Sequence, residues 1–186
     1  MPGKRTIYTI GHSNRPLEDF IELLTENSIE RLVDVRSIPM SRANPQFNKS
    51  ALTKSLEDSG IEYLHMPELG GRRGKQKNSR LAVNSAWEHS AFRNYADYAL
   101  TGEFREGLEQ LIKLAREKRT AYMCSEAVWW RCHRRIITDY LLARGWHVKH
   151  IMAPGKTTDA EMNEMAVVKD DGSIIYPGEQ TELELD

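Results

Sequence analysis

Cys124-Ser125-Glu126, closely followed by Cys132-His133-Arg134, gathers thiols, a carboxylate, an imidazole and guanidiniums into one short stretch. Three chemistries draw on such groups. A thiol where a strand gives way to a helix can be held as thiolate by helix-terminal N–H groups and nearby cations, which makes it a nucleophile. Cys124, Cys132, His133, His12 and His65 are also types that ligate metals. Arg36, Arg134 and the Arg72-Arg73 segment can hold a phosphate or nucleotide, with Glu126 or His12 carrying protons and Trp87, Trp129 or Trp130 offering faces for stacking.

The elements that must position these groups are legible as periodicity. Arg5 to Ile10 is rich in β-branched and aromatic residues and reads as a first strand. Ser13 or Asn14 then caps a helix with Pro16 in its first turn and Leu17, Phe20, Ile21 and Leu24 on one face. Leu32–Val35 is a second strand, and Asn48 caps a helix bearing Leu52 and Leu56 that Gly60 closes. Ile61–His65 is the third strand. Helical patterns follow at Phe92–Leu100 and Phe104–Lys118, then strand four over Thr120–Cys124, a helix carrying Ile136, Ile137, Tyr140 and Leu141, and strand five at Val148–Met152. Strands separated by helices predict an α/β fold, a mainly parallel sheet with helices on both faces. Ala166 to Tyr176, with Asp171-Gly172 at its centre, predicts a C-terminal hairpin followed by a frayed acidic end.

Length supports one domain: residues 1–158 form the α/β body with its cleft, and residues 159–186 add the hairpin and acidic tail. The net charge of −1 hides an asymmetry, since residues 159–186 hold one Lys against nine Asp or Glu, a net −8 that leaves +7 on the body. A basic body points to an anionic partner, such as a nucleotide or nucleic acid. No apolar run resembles a signal peptide or a membrane span, so a cytoplasmic protein without membrane contact is expected. In that reducing setting the two cysteines are expected as free thiols, ligands or core residues rather than a structural disulfide. Oligomeric state leaves no trace in the sequence.

Polar residues cluster just beyond four strands: Gly11-His12-Ser13, Asp34-Val35-Arg36-Ser37, His65 with Glu68 and Gly70-Gly71, and Cys124-Ser125-Glu126. In a parallel sheet all four sets emerge at one edge and can line one cleft. Taken together with Ile38-Pro39-Met40-Ser41, Phe47-Asn48, Cys132-His133-Arg134 and His150-Ile151, these motifs resemble the domain-of-unknown-function 488 family. The resemblance runs from the first strand to the fifth. It implies an α/β domain with those positions as its signature, Ser41 and Asn48 included, and it implies no reaction.

Spacing then limits the chemistry. The Asp-Val-Arg strand end is similar to rhodanese-like domains, yet Cys124 to Arg131 is one residue longer than the Cys-x5-Arg of a phosphatase loop and contains two Trp. The two cysteines are not spaced as a zinc knuckle, and Cys132 and His133, read as helix neighbours, point about 100° apart, so at most one should face a cleft. The sequence therefore requires no cofactor and assigns no metal site, although metal chemistry stays open. Pro154-Gly155-Lys156-Thr157-Thr158 lacks the earlier Gly of a P-loop, where His150 stands.

The reading that uses most features is an enzyme, hydrolase or transferase, acting on a phosphorylated, nucleotide or nucleic-acid substrate. Cys124, Glu126, His12, His133 and Asp34 are its candidate catalytic groups, and Gly11, Ser13, Arg36, Ser37, Ser41, Asn48, Glu68, Gly70, Gly71, Arg72, Arg73, Cys132 and Arg134 its binding groups. Cys124 is expected to be the more reactive thiol, with Cys132 further along a helix whose donors are already paired. The alternatives are a non-catalytic module binding nucleic acid or an anion, rhodanese-like thiol chemistry and a metal site.

Overall fold

Parallel strands cannot be joined by tight turns, so each must be followed by a crossover that packs on one face of the sheet. The computed structural model, which describes residues 5–178, follows this rule through the order β1 (Thr6–Gly11), α1 (Leu17–Glu26), β2 (Arg31–Asp34), α2 (Lys49–Asp58), β3 (Glu62–His65), α3 (Ser90–Tyr98), α4 (Gly102–Glu117), β4 (Thr120–Cys124), α5 (Arg134–Ala143) and β5 (His147–Ala153). Two antiparallel additions follow: β6 (Lys156–Asp159) on β5, and the hairpin of β7 (Val167–Val168) with β8 (Ile174–Ile175). The main sheet has six strands in the order β3-β2-β4-β1-β5-β6, parallel through its first five. The fold is α/β, as the alternation predicts.

Successive strand residues face opposite sides, and here both sides are apolar because both are covered. Ile7, Val33, Tyr122 and Val148 pack with the faces of α3, α4 and α5 and with Ile174 and Tyr176 from the C-terminal hairpin segment. Tyr8, Ile10, Leu32, Ala121, Met123 and Ile151 pack with Phe20, Leu23 and Leu24 of α1 and Leu52 and Leu56 of α2. The sheet order places β4 between β1 and β2, with crossovers leaving β1 and β4 towards opposite faces. A crevice opens where such connections part, at the carboxyl ends of those strands.

Local expectations are corrected at three places. Neither Ser13 nor Asn14 caps α1: Pro16 holds that position, Phe20 N–H donates to Pro16 O, and Ser13 sits in a tight turn at φ +49°. Asn48 stands at the start of α2, but its side chain accepts from Ser41 N–H at 2.7 Å and so ties the preceding loop. Gly155, at φ +66°, turns the chain into β6, a strand the sequence reading omits. The expected acidic end, 179–186, lies outside the described residues.

Candidate functional site

The ladder continues past the strands and draws the three central loops together. His12 N–H donates to Cys124 O at 3.0 Å, Ser13 N–H to Ser125 O at 2.9 Å, and Val35 N–H to Met123 O at 2.9 Å. From β3, Met66 N–H donates to Asp34 O, and Arg72 N–H then reaches Ser37 Oγ at 2.8 Å. Close approaches here require glycine. A Cβ on Gly11 would lie 1.6 Å from Glu126 O, one on Gly70 2.5 Å from Ser37 Oγ, and one on Gly71 2.4 Å from His133 Nδ1. The result is a cleft of about 1060 Å³ lined by His12, Arg36, Ser37, Ser41, Asn48, Gly71, Arg72, Cys124, Glu126, Cys132 and His133, all expected from sequence.

Its floor is a thiol pair. Cys124 Sγ and Cys132 Sγ lie 2.6 Å apart, both free and buried, and Arg134 reaches both from behind. The Arg134 guanidinium donates to Cys124 Sγ at 3.0 Å, Thr9 Oγ1 at 2.6 Å and Glu126 O at 2.7 Å, while its backbone N–H points at Cys132 Sγ at 3.4 Å. Residues 129–131 form a 3₁₀ turn and α5 begins only at Arg134, so Cys132 precedes the helix instead of lying along it. This reverses the expected order of the thiols. Burial opposes ionisation of Cys132, but the hydrogen bond from Cys124, the charge of Arg134 and the helix-terminal N–H outweigh it and bring the thiol down to about 7. Burial and the neighbouring sulfur push Cys124 up. The two titrate as one unit, and the directions of their shifts favour the first charge on Cys132.

His133 completes the arrangement. Its Nε2–H donates to Val35 O at 2.8 Å, which leaves Nδ1 unprotonated and 3.4 Å from Cys132 Sγ. Burial holds the ring neutral, its pKa below the usual histidine value. Cys132 and His133 thus both line the cleft, against the expectation that only one could, because Cys132 is outside the helix and the 100° helical offset does not apply.

A second network flanks the first. Asp34, fully buried, accepts from Arg36 through Nε at 2.9 Å and Nη2 at 2.7 Å, and from Tyr63 Oη at 2.5 Å. It does not line the cleft; its role there is to aim Arg36. Arg36 also donates to Phe47 O at 2.8 Å and meets His12 Nε2 at 3.3 Å. His12 Nδ1–H donates to Ser13 O at 2.7 Å, and burial, with Arg36 opposing a second charge, lowers the ring to about 4. His12 is therefore a neutral imidazole whose free nitrogen accepts from a guanidinium.

Several expected binding residues lie elsewhere. Arg73 donates to Gly70 O and Pro67 O and covers the Tyr98 ring at 3.8 Å, so it builds the loop. Glu68 contributes its backbone, accepting from Tyr98 Oη at 2.5 Å. Gly11, Ser13 and Gly70 support the cleft without lining it, and Arg134 is buried behind the thiols, 1% exposed. Two buried guanidiniums need compensation: Asp34 pairs with Arg36, whereas a sulfur, a hydroxyl and a carbonyl satisfy Arg134. Trp87 belongs to the core and Trp129 stacks on His150 at 4.6 Å, which leaves Trp130 as the exposed one. His65 Nε2–H donates to Arg36 O at 2.7 Å, and among the described residues no group of three His, Cys, Asp or Glu is set to hold a metal.

Sequence reasoning missed the rim. Exposed Arg42 and Arg131 join Arg72 around the opening, while Ile38, Met40 and Phe92 supply an apolar wall. Ile38 and Met40 are 52% and 69% exposed, and such large apolar residues in an otherwise polar loop were the available signal. A family model described as Domain of unknown function DUF488 matches residues 16–141. No curated protein and no solved structure matches the chain.

Proposed function

The chain belongs to the DUF488 family, whose description carries no reaction, and we propose that its cleft is the active site of a cysteine-dependent hydrolase or transferase acting on a phosphorylated or nucleotide-like substrate. One observation carries the reading: the His133 ring, locked by its Nε2–H on Val35 O, turns an unprotonated Nδ1 towards Cys132 Sγ. That is a nucleophile beside an oriented base. In the proposed reaction His133 Nδ1 takes the Cys132 proton as the sulfur attacks the electrophilic phosphorus or carbonyl carbon, and the transient imidazolium returns it to the leaving group as the bond to that group breaks. Water or an acceptor then releases the group from sulfur. Arg42, Arg72 and Arg131 at the rim suit the anionic part of the substrate, and Ile38, Met40 and Phe92 suit an apolar or aromatic part. Glu126, exposed at the same opening, is the carboxylate that this reading assigns to activating that water.

The test uses activated aryl phosphates and aryl esters with the wild-type chain, Cys132→Ser and His133→Ala. A burst of aryl alcohol with a matching mass increase on the Cys132 peptide is expected. Cys132→Ser should abolish it, and His133→Ala should slow it by about 10²–10⁴. Turnover that survives Cys132→Ser would sink the nucleophile. A second reading rests on the rim cations alone: a module that binds nucleic acid or another anion without turning it over, recognised by salt-sensitive binding and no covalent adduct.

A further inference from the structure

Cys124 forms no bond to substrate in the chemistry just proposed, yet it is held against Cys132 by a dedicated set of contacts. Its sulfur accepts from Arg134 Nε at 3.0 Å and meets Cys132 Sγ at 2.6 Å, and both residues line the open cleft. One thiol is ionised readily, and the other sits beside it with its proton. That division of labour belongs to an attacking and a resolving cysteine. We propose that Cys124 and Cys132 are a reversible dithiol–disulfide couple, closed by a hydroperoxide that enters the cleft and reopened by a dithiol reductant.

The steps balance. Cys132 thiolate attacks the outer oxygen of the peroxide, the O–O bond breaks, and the departing alkoxide or hydroxide takes a proton, leaving Cys132 as sulfenic acid. Cys124 sulfur then attacks Cys132 sulfur, the S–O bond breaks, and water leaves with the Cys124 proton. Two thiols are oxidised, one peroxide is reduced, and two hydrogens leave the protein. A small-molecule dithiol reverses the last bond by exchange. Because the sulfurs already touch, resolution requires no rearrangement of the segment between them, which outpaces further oxidation of the sulfenic acid.

Arg134 sets the direction of bias. In the reduced state its buried guanidinium faces an anionic sulfur pair; in the disulfide it retains only Thr9 Oγ1 and Glu126 O. Stabilising the reduced thiolate makes a disulfide easier to reduce. The couple is thus a labile one, suited to switching. Oxidation removes the nucleophile, so the same cleft would be silenced by peroxide, but the couple stands whether or not the chain turns over any substrate.

The experiment treats the full reduced chain with one equivalent of hydrogen peroxide, blocks residual thiols with maleimide, and reads intact and peptide masses. The wild type should lose both maleimide sites and two hydrogens in mass, link the Cys124 and Cys132 peptides, and regain both sites with dithiothreitol. Cys124→Ala should instead accumulate a sulfenic acid at Cys132 that dimedone traps, and Cys132→Ser should leave Cys124 unoxidised. The wild-type measurement decides even where a variant misfolds. Sulfinic acid at Cys132 without a cross-link, a disulfide between two chains, or two thiols still free after peroxide would each overturn the proposal. No activity assay enters, so failure of the enzyme reading leaves this result intact.

Discussion

Replacing Arg134 with Met removes the cation behind the thiols while keeping a long side chain in the space. The Arg134 Nε to Cys124 Sγ distance of 3.0 Å and the 2.6 Å between sulfurs keep the charge within about 6 Å of Cys132 Sγ. At an effective dielectric of about 20, a unit pair at that separation interacts by about 3 kcal/mol, or about two pKa units. The Cys132 thiol should therefore rise from about 7 to about 9. At pH 7 the thiolate fraction falls from about a half to about 1%, so alkylation of the Cys132 peptide should slow about fifty-fold. The assay is peptide-resolved alkylation by mass spectrometry from about pH 5 to 9. Arg134→Lys, which keeps the charge without the planar fork, should give an intermediate profile. No carboxylate among the described residues pairs with Arg134, and the thiols it faces can take up a proton when the cation is removed, so thermal unfolding of Arg134→Met should remain cooperative. A folded Arg134→Met whose Cys132 titrates as in the wild type would refute the electrostatic account of this thiol.

Three further outcomes follow from the same contacts. Asp34→Asn strands Arg36 in a site where it is 6% exposed, which should cost about 3–5 kcal/mol in urea unfolding, with Tyr63→Phe costing about 1–2 kcal/mol; an Asp34→Asn chain as stable as wild type would show the pair to be dispensable. Gly71→Ala drives a methyl to 2.4 Å from His133 Nδ1, so the ring must leave Cys132 or Val35 O, and the aryl-ester burst should slow as it does in His133→Ala; an unchanged burst would remove His133 as the base. Charge reversal of Arg42, Arg72 and Arg131 together should weaken inorganic phosphate or nucleotide binding at least about tenfold at low salt while leaving stability unaltered, since all three are exposed, whereas equal affinity by calorimetry would dismiss the rim as an anion site.

Short-range patterns settled the architecture in outline. Continuous apolar, β-branched-rich runs and the 3.6-residue faces of α1, α4 and α5 identify the five parallel strands and these helices to within a few residues, and their alternation forces crossovers and hence parallel pairing. The polar residues just past each strand were legible for the same reason: buried strands exclude them, and parallel pairing sends every such end to one edge. The hairpin at Asp171-Gly172 needed only its turn chemistry, with Gly172 at φ +84°.

What each polar group does at that edge depended on neighbours far along the chain. Inserting β4 between β1 and β2 is a long-range choice, and it decides that Thr9 and Cys124 share Arg134 while Asp34 turns to Arg36 and Tyr63. Tyr63 and Thr9 lay hidden inside apolar runs, indistinguishable from core residues until their partners were fixed. The order of the two thiols turned on where α5 begins. A 3₁₀ turn over 129–131 delays that start to Arg134, so the first N–H and the guanidinium converge on sulfur that the periodicity alone would have placed within the helix. Periodicity records which side of an element is buried; it carries no information on which charges, carbonyls and sulfurs meet there, because those contacts are set by the packing of segments separated by most of the chain.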